Sequence, residues 1–317
     1  MTAFLSAVAE RLAERWMSLL VLPGLLLVAT GAGGALLGQR GWHDWSALSR
    51  WVNDYAARPA AHAPGAVVLA AVAVLLASAA VGLLAQSLGR AVRTVWIGDW
   101  PRRLAWAARP FVRRRTRRWE LRNSRHELAL EAKLQRRQDQ GLDQGHGQGQ
   151  DRPLPAGELP DTADLLRQRN AVALVRPGRP TWIGDRFRAV DLRVLSAYDL
   201  DLAAAWPRLA LVLPPEVHAA TDAGQERFAA SARLGGWGLL YLVVGAWWWP
   251  SAVVGAVVCV VAWRRGRTTA DALCWLIESA VDLYGATLAQ ALGLADDPQG
   301  LPRDLGRKST RLMRKDS

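Results

Sequence analysis

The sequence predicts an all-α integral membrane protein: four transmembrane helices in two hairpins, a small cytosolic helical region and a flexible Gln/Gly-rich linker. Three observations carry that prediction: long windows without Asp, Glu, Lys or Arg, arginines crowded around them, and helical periodicity in the middle of the chain. Of 317 residues 51% are hydrophobic and 21% charged, so the apolar residues are segregated rather than spread. The formal net charge is +12, and only three of the 40 basic residues are lysines. The Arg, Ala, Gly and Leu bias has the look of a GC-rich bacterial coding habit. Two cysteines exclude a disulfide scaffold and a Cys-rich metal site.

The first window, Trp16 to Gln39, follows a lead-in over 3–15 with Phe4, Leu5, Val8 and Leu12 at amphipathic helical spacing. As a helix it reaches about 36 Å, enough for a hydrocarbon core of about 30 Å. The second, between Arg58 and Arg90, is most apolar over 66–84. The expected spans are about 16–38 and 64–86, so residues 1–89 form the first hairpin. Its outer loop carries Trp42, Trp45, Trp51 and Tyr55, an aromatic anchor at the outer interface.

The third window, Leu234 to Trp263, is interrupted by Trp247-Trp248-Trp249-Pro250. Proline cannot continue a helix without losing a hydrogen bond, and tryptophans favour the membrane–water interface. Basic residues flank both ends, so residues 221–267 read as a second hairpin turning at 249–251 rather than one kinked span. Loop charge then sets orientation. Arg40, Arg50 and Arg58 fall in the outer loop, and the other 37 basic residues lie inside if both termini are cytoplasmic. The expected location is the cell (plasma) membrane, multi-pass.

Residues 90–134 form a basic juxtamembrane segment, broken early by Pro101 and Pro110 and helical from about 111. Arg113, Arg114, Arg115, Arg117 and Arg118 are candidate contacts to anionic lipid of the inner leaflet. Nucleic acid is disfavoured, because Trp119 is the only aromatic between 112 and 137. Residues 135–160 read as a disordered linker in which His146 has no metal-ligand neighbours. Residues 268–294 predict an amphipathic helix with Leu273, Ile277, Val281 and Leu288 on its apolar face. Its Asp271, Glu278 and Asp282 would oppose the basic 111–137 helix. Residues 295–317 read as a disordered basic tail.

Between them, 161–220 is a cytosolic helical region. Asp161 or Thr162 can cap its first helix, and Asp199 can cap a later one. Arg188, Asp191, Leu192 and Leu195 can share a helical face. Trp96-Ile97-Gly98-Asp99 is echoed by Trp182-Ile183-Gly184-Asp185, both expected to form tight Gly-Asp turns. The residues Thr181, Gly184, Asp185, Arg188, Ala189, Tyr198, Asp201, Trp206, Pro207, Arg208, Leu209, Leu213 and Pro214 resemble a pattern of uncharacterised bacterial four-span membrane proteins. That pattern runs TxxG(N/D)xxRA, Y(G)xD, WPRL and LP over about 35 residues here, with Asp199 where it often has glycine. The resemblance implies four spans and brings no activity with it.

No catalytic set appears. His126-Glu127 does not continue to a zinc-binding HExxH, and neither a dinucleotide fingerprint nor a phosphate loop is present. Gly34 and Gly38 form a GxxxG that suits close helix approach. The windows hold no Asp, Glu, Lys or Arg, which argues against an ion-coupled carrier. The expectation is a non-enzymatic protein without cofactor or metal, a membrane-anchored binding, scaffold or sensor module. Asp185, Arg188, Tyr198, Asp201, Trp206 and Arg208 are candidate contacts to a cytosolic protein partner. The alternative is a homo-oligomeric channel or permeability factor.

Overall fold

The computed structural model describes residues 22–39, 45–57, 63–98, 100, 105–143, 162–296 and 300–315. Among these every regular element is helical: α1 Leu22–Leu37, α2 Trp45–Ala56, α3 Pro64–Ile97, α4 Ala105–Asp143, α5 Thr162–Asn170, α6 Trp182–Tyr198, α7 Leu202–Val212, α8 Pro215–Val244, α9 Trp249–Ala291 and α10 Arg303–Arg314. The chain divides into two units, Met1–Arg93 with Gln225–Thr269, and Thr94–Gly224 with Ala270–Ser317. The lead-in over 3–15 and linker residues 144–160 lie outside the described residues.

In the first unit small residues make the contacts. Helix α3 buries Ser78, Gly82, Ala85 and Gly89, one stripe at spacings of four, three and four. Its large side chains point outward, Leu69 being 72% and Leu76 66% exposed. Close approach requires the glycines: a Cβ at Gly236 would lie 2.5 Å from the Ala85 carbonyl oxygen. Helices α8 and α9 form an antiparallel hairpin, with Gly238 against Cys259, Gly255 against Leu242 and Gly245 against Ala252. The chain turns at 245–248, and Pro250 sits in the first turn of α9, where its missing N–H matters least. That places the turn just ahead of the expected 249–251.

Polar groups at the turn are met internally. The Gln39 amide donates to the Ala246 carbonyl at 3.1 Å and accepts from the Trp249 N–H at 3.1 Å, and Ser251 Oγ donates to the Tyr241 carbonyl at 2.8 Å. Gly34 faces the Trp248 side chain, whereas Gly38 ends α1 with φ +62°, so the GxxxG splits into one contact and one cap. Helices α3 and α9 are long and apolar enough to cross a membrane. The described α1 is shorter, at 16 residues, and α8 is not apolar enough over an 18-residue window.

The second unit has a conventional core. Val190, Val194, Leu200, Leu202, Leu209, Val281, Leu288 and Met313 close around one another. The expected apolar face of the C-terminal part of α9 is present, with Leu273, Val281 and Leu288 buried and Ile277 against the core.

Pro110 does not break α4: the helix runs through it as its sixth residue, without the backbone hydrogen bond that proline cannot donate. Residues 135–143, expected in the linker, continue that helix. The tail expected to be disordered contains α10. Asp201 caps α7, accepting from the Ala203 N–H at 3.0 Å, while Asp199 ends α6.

Candidate functional site

The candidate partner-binding residues lie on α6 and α7 and at the junction between them, and these helices are fixed from three directions. The N-terminal end of α6 is capped by Thr181, whose hydroxyl accepts from the Gly184 N–H at 2.9 Å and donates to the Trp96 carbonyl. Arg179 Nη1 donates to the Ile97 carbonyl at 2.8 Å, and Gly184 leaves room for that same oxygen. The two echoed stretches therefore touch, but they do not form like turns. Gly98 closes α3 with φ +83°, while Gly184 lies in the first turn of α6.

Asp185 is 1% exposed and fully engaged. One carboxylate oxygen accepts from Arg115 at 2.7 Å, and the other accepts from the Gly178 and Arg179 N–H groups at 2.9 and 2.8 Å. It holds the 171–180 segment onto α4 and has no surface to offer a partner, contrary to the expectation. Arg115 likewise leaves the lipid-facing set, since it also donates to the Val172 carbonyl at 2.8 Å. Trp119 and Thr116 donate to further carbonyls of the same segment, those of Ala173 and Pro177, and Arg122 donates to the Gln168 carbonyl near the end of α5. One face of α4 is thus spent on satisfying an irregular backbone. Arg113, Arg114, Arg117 and Arg118 are exposed.

Along its length α6 meets α9 in a parallel ladder. Arg186 pairs with Asp271 at 2.5 Å and Arg193 with Glu278 at 2.7 Å, seven residues on in both helices. The Tyr198 hydroxyl then donates to Asp282 at 2.8 Å. The acidic residues of α9 therefore answer α6, not the basic α4. The hydrogen bond to Asp282, then burial and the nearby charge of Glu278, raise the Tyr198 phenol above its ordinary range. Burial pushes the thiol of Cys274, in the core beside this ladder, up to about 12. Arg188 donates to the Arg176 carbonyl at 3.0 Å and lies over Gly178.

The third side is α10. Asp199 has left-handed backbone, φ 55°, uncommon away from glycine. Its carboxylate accepts from Arg307 at 2.7 Å. Asp201 accepts from Arg314 Nε at 2.8 Å, while its N–H donates to the Thr310 hydroxyl at 3.0 Å. Burial raises the Asp201 carboxyl, but the Arg314 hydrogen bonds, the Ala204 and Ala203 N–H groups and the Arg314 charge outweigh it and hold it below its ordinary range. Arg208 donates to the Ala204 and Met313 carbonyls at 2.8 and 3.1 Å. Trp206 lies against the apolar core. A side chain at Gly306 would run into the Tyr198 carbonyl oxygen.

The site is thus a groove at the α6–α7 junction with a helix already seated in it. Arg307, Thr310 and Arg314 were missed because their stretch read as a tail. The available signals were Pro302 before an acidic first turn at Asp304, arginines in the last turn, and Leu305, Leu312 and Met313 at helical spacing. Among the described residues no cluster of His, Cys, Asp and Glu could hold a metal ion. No protein-family model, curated protein or solved structure matches the chain.

Proposed function

We propose that the chain is a four-span protein of the cytoplasmic membrane, both ends inside, whose second unit is a non-catalytic binding module held at the inner leaflet. The burial pattern of α3 carries this reading. Only 11% of its most apolar stretch is buried, which favours a lipid-covered helix over the core helix of a water-soluble fold. Small residues inside and Leu and Val outside suit a lipid solvent, where close backbone approach replaces hydrophobic burial as the source of helix association. Exposed Arg113, Arg114, Arg117 and Arg118 suit anionic headgroups.

Single-cysteine labelling from either side of the membrane tests the topology. Ser231, Ser251 and Ser309 are buried, so exposed positions serve better. Ser46→Cys and Trp247→Cys are expected to label from outside, Ser124→Cys and Lys308→Cys from inside. Outside labelling of Lys308→Cys would remove the second hairpin from this reading.

A further inference from the structure

We propose that the α6–α7 junction is a receptor groove for a basic amphipathic helix, with α10 as its resident occupant and a partner protein's helix of like register as its replacement. This deepens the binding-module reading and rests on it. The fit of α10 defines what the groove recognises. Two carboxylates, Asp199 and Asp201, meet two arginines seven residues apart, Arg307 and Arg314. Between those arginines Thr310 meets the backbone of the junction, its hydroxyl accepting from the Asp201 N–H and donating to the Asp199 carbonyl. A residue without a side chain, Gly306, is required beside the Tyr198 carbonyl, and Met313 enters the apolar floor with Leu200, Leu202 and Leu209. A partner helix therefore needs a small residue, then Arg, a hydroxyl, an apolar side chain and Arg at offsets of one, four, seven and eight.

The seat is held lightly enough to exchange. Only Leu305 and Met313 contribute buried apolar side chains from α10. The side chains of Arg307 and Arg314 are 58% and 53% exposed, and exposed ion pairs are weak and screened by salt. Ser309 Oγ is buried without a hydrogen-bond partner among the described residues, which disfavours the seated state. A 12-residue helix has little stability of its own, so whether α10 is ordered depends on the groove. A helix that repeats these contacts and satisfies the Ser309 position would compete.

The test uses the full chain in detergent and a fluorescent peptide of residues 301–315. Gly306→Val should unseat α10, and the peptide is then expected to bind at least tenfold more tightly than to the wild-type chain. A peptide carrying Arg307→Glu and Arg314→Glu should lose at least tenfold. If Gly306→Val loses its helical circular dichroism, Arg307→Glu with Arg314→Glu in the chain is the second unseating variant, with the same expectation. Equal peptide binding to seated and unseated chains, or equal binding of the charge-reversed peptide, would overturn the proposal. Energy transfer that grows on mixing wild-type chains labelled at Lys308→Cys would make the occupant a second copy and overturn the partner assignment. Side-specific cysteine labelling would be unchanged by any of these results, so failure here is distinguishable from failure of the membrane reading.

Discussion

The two units solve the same problem with opposite residues. In the first, Ser78, Gly82, Ala85 and Gly89 face inward while Leu69, Leu75 and Leu76 face out. In the second, Val190, Val194, Leu209 and Val281 face inward, and Arg113, Arg114, Arg117 and Arg118 face out. Burying large apolar side chains is worth about 1.5–3 kcal/mol each in water and little in hydrocarbon, which is already apolar. On the membrane reading proposed above, the inversion reflects two solvents, hydrocarbon around the first unit and water around the second.

The largest expected effect lies in the second unit. Asp185→Ala would leave Arg115 and the Gly178 and Arg179 N–H groups without their acceptor. Breaking a buried pair from one side costs about 3–5 kcal/mol. Denaturant melts of the full chain should show a loss of that order, and a loss under about 1 kcal/mol would mean the segment is held by something else.

The contrast between units is sharpened by placing one change in both. Leu76 is 66% exposed in the first unit and Leu211 84% exposed in the second. Arginine at a helix centre in lipid costs about 2.5–3.5 kcal/mol on insertion scales, whereas surface changes in water usually stay within about 0.5 kcal/mol. Leu76→Arg should therefore sharply reduce membrane-integrated protein, and Leu211→Arg should leave its yield unaltered. Equal outcomes would break the comparison.

The same physics explains what the sequence made legible. Helical class followed from uncharged windows and from the spacing of Leu273, Ile277, Val281 and Leu288, since both depend on local period alone. The junction near Trp247–Pro250 was readable because proline and tryptophan act locally. Partners were not readable. Nothing within a few residues of Asp185 indicates that Arg115, 70 residues earlier, will meet it. The acidic α9 and basic α4 suggested a pair on net sign, but Arg186 and Arg193 share the seven-residue step of Asp271 and Glu278 and take them. Mostly intramolecular duties for Asp185, Arg188, Tyr198, Asp201 and Arg208 could not be separated from recognition by residue type.

Acid should loosen α10. The folded Asp201 carboxyl sits below its ordinary value. Its contribution is therefore present above the unfolded carboxyl value and lost as pH falls through the folded one. Protection of the α10 amides, corrected for the intrinsic pH dependence of exchange, should be flat near neutrality and fall once acid passes below the ordinary carboxylate range. Asp201→Asn should remove much of that dependence, and an unchanged profile in the variant would take Asp201 out of the account.

The smallest effect is the most discriminating for Asp199, because two contributions oppose one another there. Glycine would relieve the left-handed backbone, which disfavours an ordinary L-residue by about 1 kcal/mol and suits glycine. It would also delete the ion pair with Arg307, whose side chains are 58% and 35% exposed, worth about 0–1 kcal/mol. Asp199→Gly should thus leave the melting temperature of the full chain within a few degrees of wild type while increasing amide exchange in α10. A clear loss of melting temperature would show that the Arg307 contact holds more than α10. A gain accompanied by unchanged α10 exchange would show that backbone relief dominates and that Asp199 contributes little to seating the helix.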